Sequence, residues 1–435
     1  MKKYRFYLCV VLACLISIIL TACAETKNSA VFNESKDSND KIVLKMLSLS
    51  ARPSIVNMVT EFNNNNDNYV VELEEVFPYE ENVSDADWNN AILKLNARII
   101  SGDLPDIIDL WDLPAEIYYQ KGLLEDLFPY IDNDIQLQQE GYFENVFDAM
   151  SIDDRLPYIT DCVVIYTMTT DLELSQNKQG WTLNDMQEIF SMQGNSSVGN
   201  LSGVDGMTGN GFIAMMLTTH NSYIDWETGE CDFNTEEFVS ILEIAKRIQK
   251  GFIPSYAEPG SYDPFLVSYE TVFSACQIHK FQEYYDGNLN LVGFPDDSKE
   301  IQYTLMPQTK IAISSVSHNK EGAWEFVRRF LTEDHQKSCS ALPINRAAFN
   351  AVMQTDIDGT SSWAKYYGVK ATLEDVALTE MLVSNSHKSA VVNNTVSEIV
   401  FEEAEKFFSG VETAQDAAER IQAKVKIYLS EQLDI

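Results

Sequence analysis

Residues 101–112 read SGDLPDIIDLWD, and aspartates recur there at every third position, Asp103, Asp106, Asp109 and Asp112, with Trp111 among the last. Carboxylates in such a series could ligate a cation, charge one helix face or line a polar cleft. A shared helix face is excluded, because Gly102 and Pro105 interrupt a helix there. The run IIDLW (107–111) reads as a strand, which divides the set. Asp103 and Asp106 fall in the turn entering it and are expected to tie backbone amides; Asp109 and Asp112 fall at or beyond its carboxyl end, flanking Trp111.

Other chemistry is sparse. The five histidines, His220, His279, His318, His335 and His387, form neither HxxxH nor HExxH, which argues against a zinc hydrolase. DIDG (356–359) fails as a calcium loop, since Gln354 and Lys365 stand where acids are required. GMTGNG (206–211) matches neither the P-loop nor the dinucleotide pattern, and there is no GxSxG. A glycosidase carboxylate pair has no distinguishable signal among 66 acids. No cofactor and no metal site are expected. Cys162, Cys231, Cys276 and Cys339 show no CxxC spacing; one disulfide is open to them, with the pair unassigned.

The aromatic residues say more. Tyr79, Trp111, Trp226 and Trp363 lie in polar loops, beside acids or amides. Carbohydrate recognition needs that combination, because a sugar offers an apolar C–H face to a ring and hydroxyls to paired acceptors and donors. The formal net charge of −35 would repel phosphate backbones, which argues against nucleic acid as a partner.

The elements that must position these residues begin after a distinctive amino terminus. MKKYRF is followed by an apolar run from Tyr7 to Leu20 and then by LTAC, residues 20–23. The run is short for a membrane span. It resembles a bacterial lipoprotein signal, which implies removal of residues 1–22, lipid on Cys23, and residues 24–40 as a flexible tether. KIVLKMLSLS (41–50) and YVVELEEVF (69–77) read as strands; helices follow each, one with Pro53 in its first turn, one covering about 86–101 and closed by Gly102. With IIDLW the order is β-α-β-α-β, which points to a parallel α/β sheet. Further on, LPYITDCVVIYTM (156–168) is extended, residues 234–251 form an amphipathic helix ended by Gly251, and ETVFSACQI (270–278) and KIAISSVS (310–317) read as strands. KEGAWEFVRRFLTEDHQ reads as one helix, and the last third is largely helical.

Taken in order, these segments resemble the extracellular solute-binding proteins of bacterial ABC importers, the sugar-binding group that includes maltose-binding protein. ISGDLPDIIDLWDLPAEIYYQKGLLEDLFPYI is similar to the family's first-domain segment and LPYITDCVVIYTM to its hinge crossing. YIDWETGECDFNTEEFVSILEIAKRI, IAISSVSHNKEGAWEFVRRFLTEDHQ and AAERIQAKVKIYLSEQ are similar to the second-domain segment, the return crossing and the closing helix. Two departures stand out: TVFSACQI lacks the glycine of the family's Gly-Lys-x-Ala-Met, and Tyr166-Thr167-Met168 replaces Tyr-Asn-Lys.

The resemblance implies a two-lobed periplasmic-binding-protein-like α/β fold, type II, with a ligand cleft between hinged lobes. Lobe one would span 41–159 and 311–353, and lobe two 160–310 and 354–435. Ligands of open α/β sheets bind beyond the carboxyl ends of strands. That rule selects Ser48, Ser50 and Arg52, Tyr79 and Glu80, and Asp109, Trp111 and Asp112 on lobe one. Asp161 in the crossing is similar to a sugar-contacting acid of the family; lobe two would add Tyr223, Trp226, Gln277 and His279. In this reading Trp111 stacks a sugar ring, Asp109 and Asp161 accept hydroxyls, and Arg52 donates. The implied protein is a monomer, not an enzyme, lipid-anchored on the outer face of the cell membrane, delivering a neutral oligosaccharide to a permease. Two other functions remain open: a surface lipoprotein that senses ligand without transport, and a carbohydrate-active hydrolase.

Overall fold

A computed structural model describes residues 41–79, 82–171, 175, 180–192, 208–219, 223–251, 267–296 and 300–433. The signal segment, Cys23, the tether and Glu80 lie outside the described residues.

The first sheet has the strand order β2-β1-β3-β8, with β1 at Ile42–Ser48, β2 at Tyr69–Glu75, β3 at Ile107–Asp109 and β8 at Ile311–Ile313. β1 is parallel to β2 and β3, and β8 is antiparallel to β3. Leu44, Met46, Leu47, Ile107 and Ile108 are all buried, which is why these short runs read as apolar rather than alternating. The helix Pro53–Asn65 starts on its proline and buries Ile55, Met58, Val59 and Phe62; the helix Asp85–Ile100 buries Ile92, Leu95 and Ile99. Gly102 turns the chain out of that helix with φ +89°, a conformation that glycine adopts without steric cost. β3 stops at Asp109, before Trp111, because the chain turns sharply at Asp112 (φ 60°).

The second sheet is built around β4, Cys162–Asp171, whose neighbours β5 (Val267–Val272), β6 (Leu289–Leu291), β7 (Tyr303–Pro307) and β9 (Leu342–Pro343) all run antiparallel to it. Only β10, Ser386–Ser389, pairs in parallel, with β7. The parallel reading therefore applies to the first three strands alone. The helices Gly209–Thr219, Glu236–Gly251, Asn394–Phe408 and Ala414–Leu433 pack together on this second unit. Among the described residues no helix is long and apolar enough to cross a membrane.

Three expectations fail here. The run 270–278 is not one strand: β5 ends at Val272 and a helix, Ala275–Tyr284, begins. The segment Lys320–Gln336 is not one helix, because Thr332 is extended (φ −70°, ψ 145°) and separates Glu333–Gln336 from the elements before it. The boundary at 353 also shifts: Leu342 and Pro343 pair with Val163 and Cys162 of β4, so the chain has already joined the second sheet at β9.

The two sheets are linked by three chain crossings. The first runs from Ile159, which bridges to Ile311 of the first sheet, into β4. The second is the short return from β7 to β8, and the third leads from the Glu333–Gln336 turn into β9.

Candidate ligand cleft

β1 and β3 are neighbours and parallel, so their carboxyl ends emerge side by side. Ser48 Oγ donates to Asp109 Oδ2 at 2.8 Å, and the backbone N–H of Trp111 donates to Asp109 Oδ1 at 3.2 Å. Burial pushes the Asp109 carboxyl up, against the Ser48 bond and the charge of Arg52. Both oxygens of Asp109 accept hydrogen bonds within the protein, and the residue shapes the turn.

Two other groups lie beside this turn. Asp112 sits in the left-handed region, which aspartate tolerates better than most residues, and its Oδ2 accepts from Trp88 Nε1 at 3.1 Å. Burial pushes its carboxyl up too, opposed by the Trp88 bond, Lys310 and Arg52. Trp88 is itself stacked on Phe77 at 5.7 Å. Arg52 immediately precedes the helix Pro53–Asn65, and its guanidinium lies over the Trp111 ring, 4.3 Å from the centroid. Arg52 Nη2 is buried and has no hydrogen-bond partner. Ser50 is half-buried nearby, and Tyr79 is exposed beyond the end of β2. The other two aspartates of the series secure the turn into β3. Asp106 accepts from Lys45 N at 2.9 Å and Ser317 Oγ at 2.5 Å, and Asp103 pairs with Arg98 at 2.9 Å.

The sequence reading missed Lys310. It is buried where the second crossing enters β8, its Nζ 5.6 Å from the Tyr158 ring centroid. Burial pulls its ammonium down, opposed by Glu116, Asp112 and Asp109. Its carbonyl accepts from Leu110 N at 2.8 Å, which fixes it beneath the Trp111 turn. The only signal was a lysine heading an apolar run, which becomes informative once β8 is known to lie beside β3.

On the second lobe the expected residues divide. Trp226 is half-buried, touches both large apolar clusters and shares a small cavity with Thr218, Asn393 and Ser397. Tyr223 is core: its ring stacks on Phe233 at 5.5 Å, and its hydroxyl donates to Glu237 at 3.1 Å. Gln277 is buried in the first turn of the helix after β5, accepting from Phe273 N at 3.0 Å and donating to the Thr271 carbonyl at 2.7 Å. Ser274 caps the same helix, so Ser274-Ala275-Cys276-Gln277 follows the capping-box pattern, a signal in the sequence that the strand reading overrode. His279 pairs with Asp375 at 2.9 Å on that helix. Tyr223, Gln277 and His279 thus make these contacts within the fold, and Tyr223 lines the same cavity as Trp226.

Asp161 is a hinge residue in a strict sense. On the first crossing, its Oδ1 accepts from Cys162 N at 2.9 Å and from Thr309 Oγ1, on the second crossing, at 2.9 Å. Its Oδ2 meets His335 Nε2, on the approach to the third crossing, at 3.0 Å. Burial works to raise this carboxyl, but the bond and charge of His335 and the Thr309 bond outweigh it and hold the group below the usual range. All three of these hydrogen bonds are made within the hinge. The lobes also meet outside the hinge, where Asn89 Nδ2 donates to Glu398 Oε1 at 2.6 Å.

No protein-family model matches the chain. Solved structures do. The chain is similar to the sugar-binding protein MalE from the phytopathogen Xanthomonas citri, at 14% identity over 89% of this chain and 98% of that one, TM-score 0.56. It is similar to a periplasmic oligogalacturonide binding protein from Yersinia enterocolitica, at 14% identity over 90% and 100%, TM-score 0.54. It is also similar to an extracellular solute-binding protein of family 1 from Alicyclobacillus acidocaldarius, at 15% identity over 90% and 100%, TM-score 0.53. Identities this low speak to architecture, and that architecture is shared over about nine-tenths of the chain: it has the two-lobed periplasmic-binding-protein fold found in MalE-like solute-binding proteins.

Proposed function

We propose that this protein captures a carbohydrate, a neutral oligosaccharide, between its two lobes and delivers it to the permease of an ABC importer. Arg52 carries the reading. A buried guanidinium nitrogen without an acceptor costs free energy unless something fills the position, and a sugar hydroxyl does so. Trp111 beside it supplies an apolar ring face for the sugar's C–H groups, and Asp112, oriented by Trp88, supplies an acceptor. Trp226 closes on the ligand from the second lobe, with Ser50 and Tyr79 at the edge. The ligand favours the closed arrangement because only there does it touch both lobes; differential affinity is what shifts such an equilibrium. The fold neighbours support this reading, since those from Xanthomonas citri and Yersinia enterocolitica are described as binding a sugar and an oligogalacturonide. Lipid on Cys23 keeps the monomeric protein on the outer face of the membrane, beside its permease.

Calorimetric titration with a panel of oligosaccharides tests the proposal. One or more sugars bind, and Trp111→Ala weakens the best of them about tenfold, the scale of one lost stacking contact. Unchanged affinity in Trp111→Ala overturns the site; no binding across the panel overturns the ligand class.

A further inference from the structure

The hinge brings together a second set of groups, which the ligand cleft does not use. Asp161 and Cys162 lie on the first crossing, and His335 and Cys339 lead into and along the third. A carboxylate oxygen of Asp161, a ring nitrogen of His335 and Sγ of Cys339 all lie within 4.8 Å of one another. Cys339 packs against the small buried cluster that contains Cys162, and neither cysteine is in a disulfide. Among the described residues no other three histidine, cysteine or acidic side chains converge in this way. An Asp–His ion pair accounts for two of the three groups. It gives no reason for a thiol to be directed at the same point.

We propose that this cluster is a binding site for a borderline-soft divalent cation, zinc(II), with Asp161, His335 and Cys339 as its ligands. Three donors of mixed sulfur, nitrogen and oxygen type, with water in the fourth position, suit tetrahedral zinc, whereas magnesium and calcium require oxygen alone. The surroundings have the properties of a built site. Thr309 Oγ1 and Cys162 N hold Oδ1 of Asp161, each at 2.9 Å, so Oδ2 is the oxygen presented to the cation. Phe330 packs edge-on against the His335 ring at 5.2 Å and fixes its plane. Access is provided by Cys339, which is half-buried and lines a cavity of about 360 Å³ with Ser340 and Trp363. Lys337, the cation at that cavity, is turned toward Glu333 at 2.5 Å.

Zinc entry replaces the His335–Asp161 hydrogen bond with two metal bonds, and the imidazole carries its remaining proton on Nδ1. The Cys339 thiol ionises as it binds and an imidazolium at His335 gives up its Nε2 proton, so about two protons are released per cation from the charged pair and about one from the neutral ring. Because the ligands come from two crossings, the bound ion stiffens the hinge.

The test uses the purified protein, reduced and stripped with a chelator, then titrated with zinc(II) and with cobalt(II) as a spectroscopic probe. One equivalent of either ion binds, and cobalt develops thiolate charge-transfer absorption with tetrahedral visible bands. Cys339→Ser and His335→Gln each weaken zinc at least about 100-fold. Cys231→Ser, whose thiol faces the Gln422 carbonyl elsewhere, leaves zinc binding unchanged. Cys339→Ser changes one atom at a half-buried position and keeps the test readable even where His335→Gln lowers the yield of folded protein. The proposal is overturned by an absence of uptake in the reduced protein, by a cobalt spectrum without thiolate character, or by affinity that Cys339→Ser does not change. A Cys162–Cys339 disulfide in the isolated protein counts against it if zinc uptake stays absent after reduction, and is compatible with it if uptake returns.

Discussion

Asp109 at the cleft and Asp161 at the hinge are the same residue type, equally withdrawn from water, and their carboxyls are driven in opposite directions. Burial dominates at Asp109, where a serine hydroxyl and a backbone amide are the direct partners and Arg52 acts from a distance. At Asp161 the His335 ring is in contact, and its bond and charge overcome burial. The lesson is that depth alone does not decide the charge of a buried acid; the nearest cation does. It also separates the two regions by purpose. The hinge satisfies its acid internally, while at the cleft a buried guanidinium nitrogen of Arg52 has no hydrogen-bond partner.

Three substitutions would break or sharpen that contrast. The largest effect is expected at the hinge. Asp161→Ala strands the His335 ring, Thr309 and the Cys162 amide, and should cost about 3 kcal/mol in urea denaturation. Since the folded-state pKa of Asp161 is depressed, its contribution is present above the ordinary carboxylate range and lost as pH falls through the folded value. The extra acid sensitivity of the native protein below about pH 4 should therefore vanish in the variant. A loss under about 1 kcal/mol would contradict the hinge assignment.

Glu270 on β5 extends the comparison to an acid with no cation beside it. Burial pushes its carboxyl from 4.5 up to about 7, opposed only by a bond from Ser268. A raised folded-state pKa gives stability that is present below about pH 4.5 and lost as pH rises through about 7. Glu270→Gln should be neutral near pH 5 and stabilising by about 2 kcal/mol near pH 8, after a discount for partial exposure, as thermal unfolding at the two pH values would report. Equal effects at both would refute the assignment. The smallest change belongs to Asp109→Asn, which keeps shape and removes a poorly compensated charge. It should shift stability by less than about 1 kcal/mol at pH 7, and a loss as large as that of Asp161→Ala would erase the distinction between the two sites.

Much of this molecule can be read from local pattern. Pro53 opening a helix, Gly102 closing one, and the apolar runs of β1, β2 and β4 depend on neighbours within a few residues. The division of the SGDLPDIIDLWD aspartates also followed from their order along one strand, and Asp106 does tie a backbone amide, that of Lys45. The errors fall where distant chain decides. A run such as ETVFSACQI is apolar throughout whether it is strand or strand followed by helix, and only the Ser274–Gln277 cap distinguished them. Asp161, Thr309, His335 and Cys339 are spread over three crossings, so no spacing in the sequence could announce their meeting. Asp109 was selected for being at a strand end, a rule that gives position and says nothing of the hydrogen bonds its oxygens accept within the protein.

The joining of three crossings at one carboxylate has a mechanical meaning. A joint made of separate strands can bend, twist and slide, each strand yielding on its own. Once the first two are cross-bonded through Thr309 and the third is tied in through His335, a displacement of one drags the others. Relative movement of the two halves then has to carry all three crossings together.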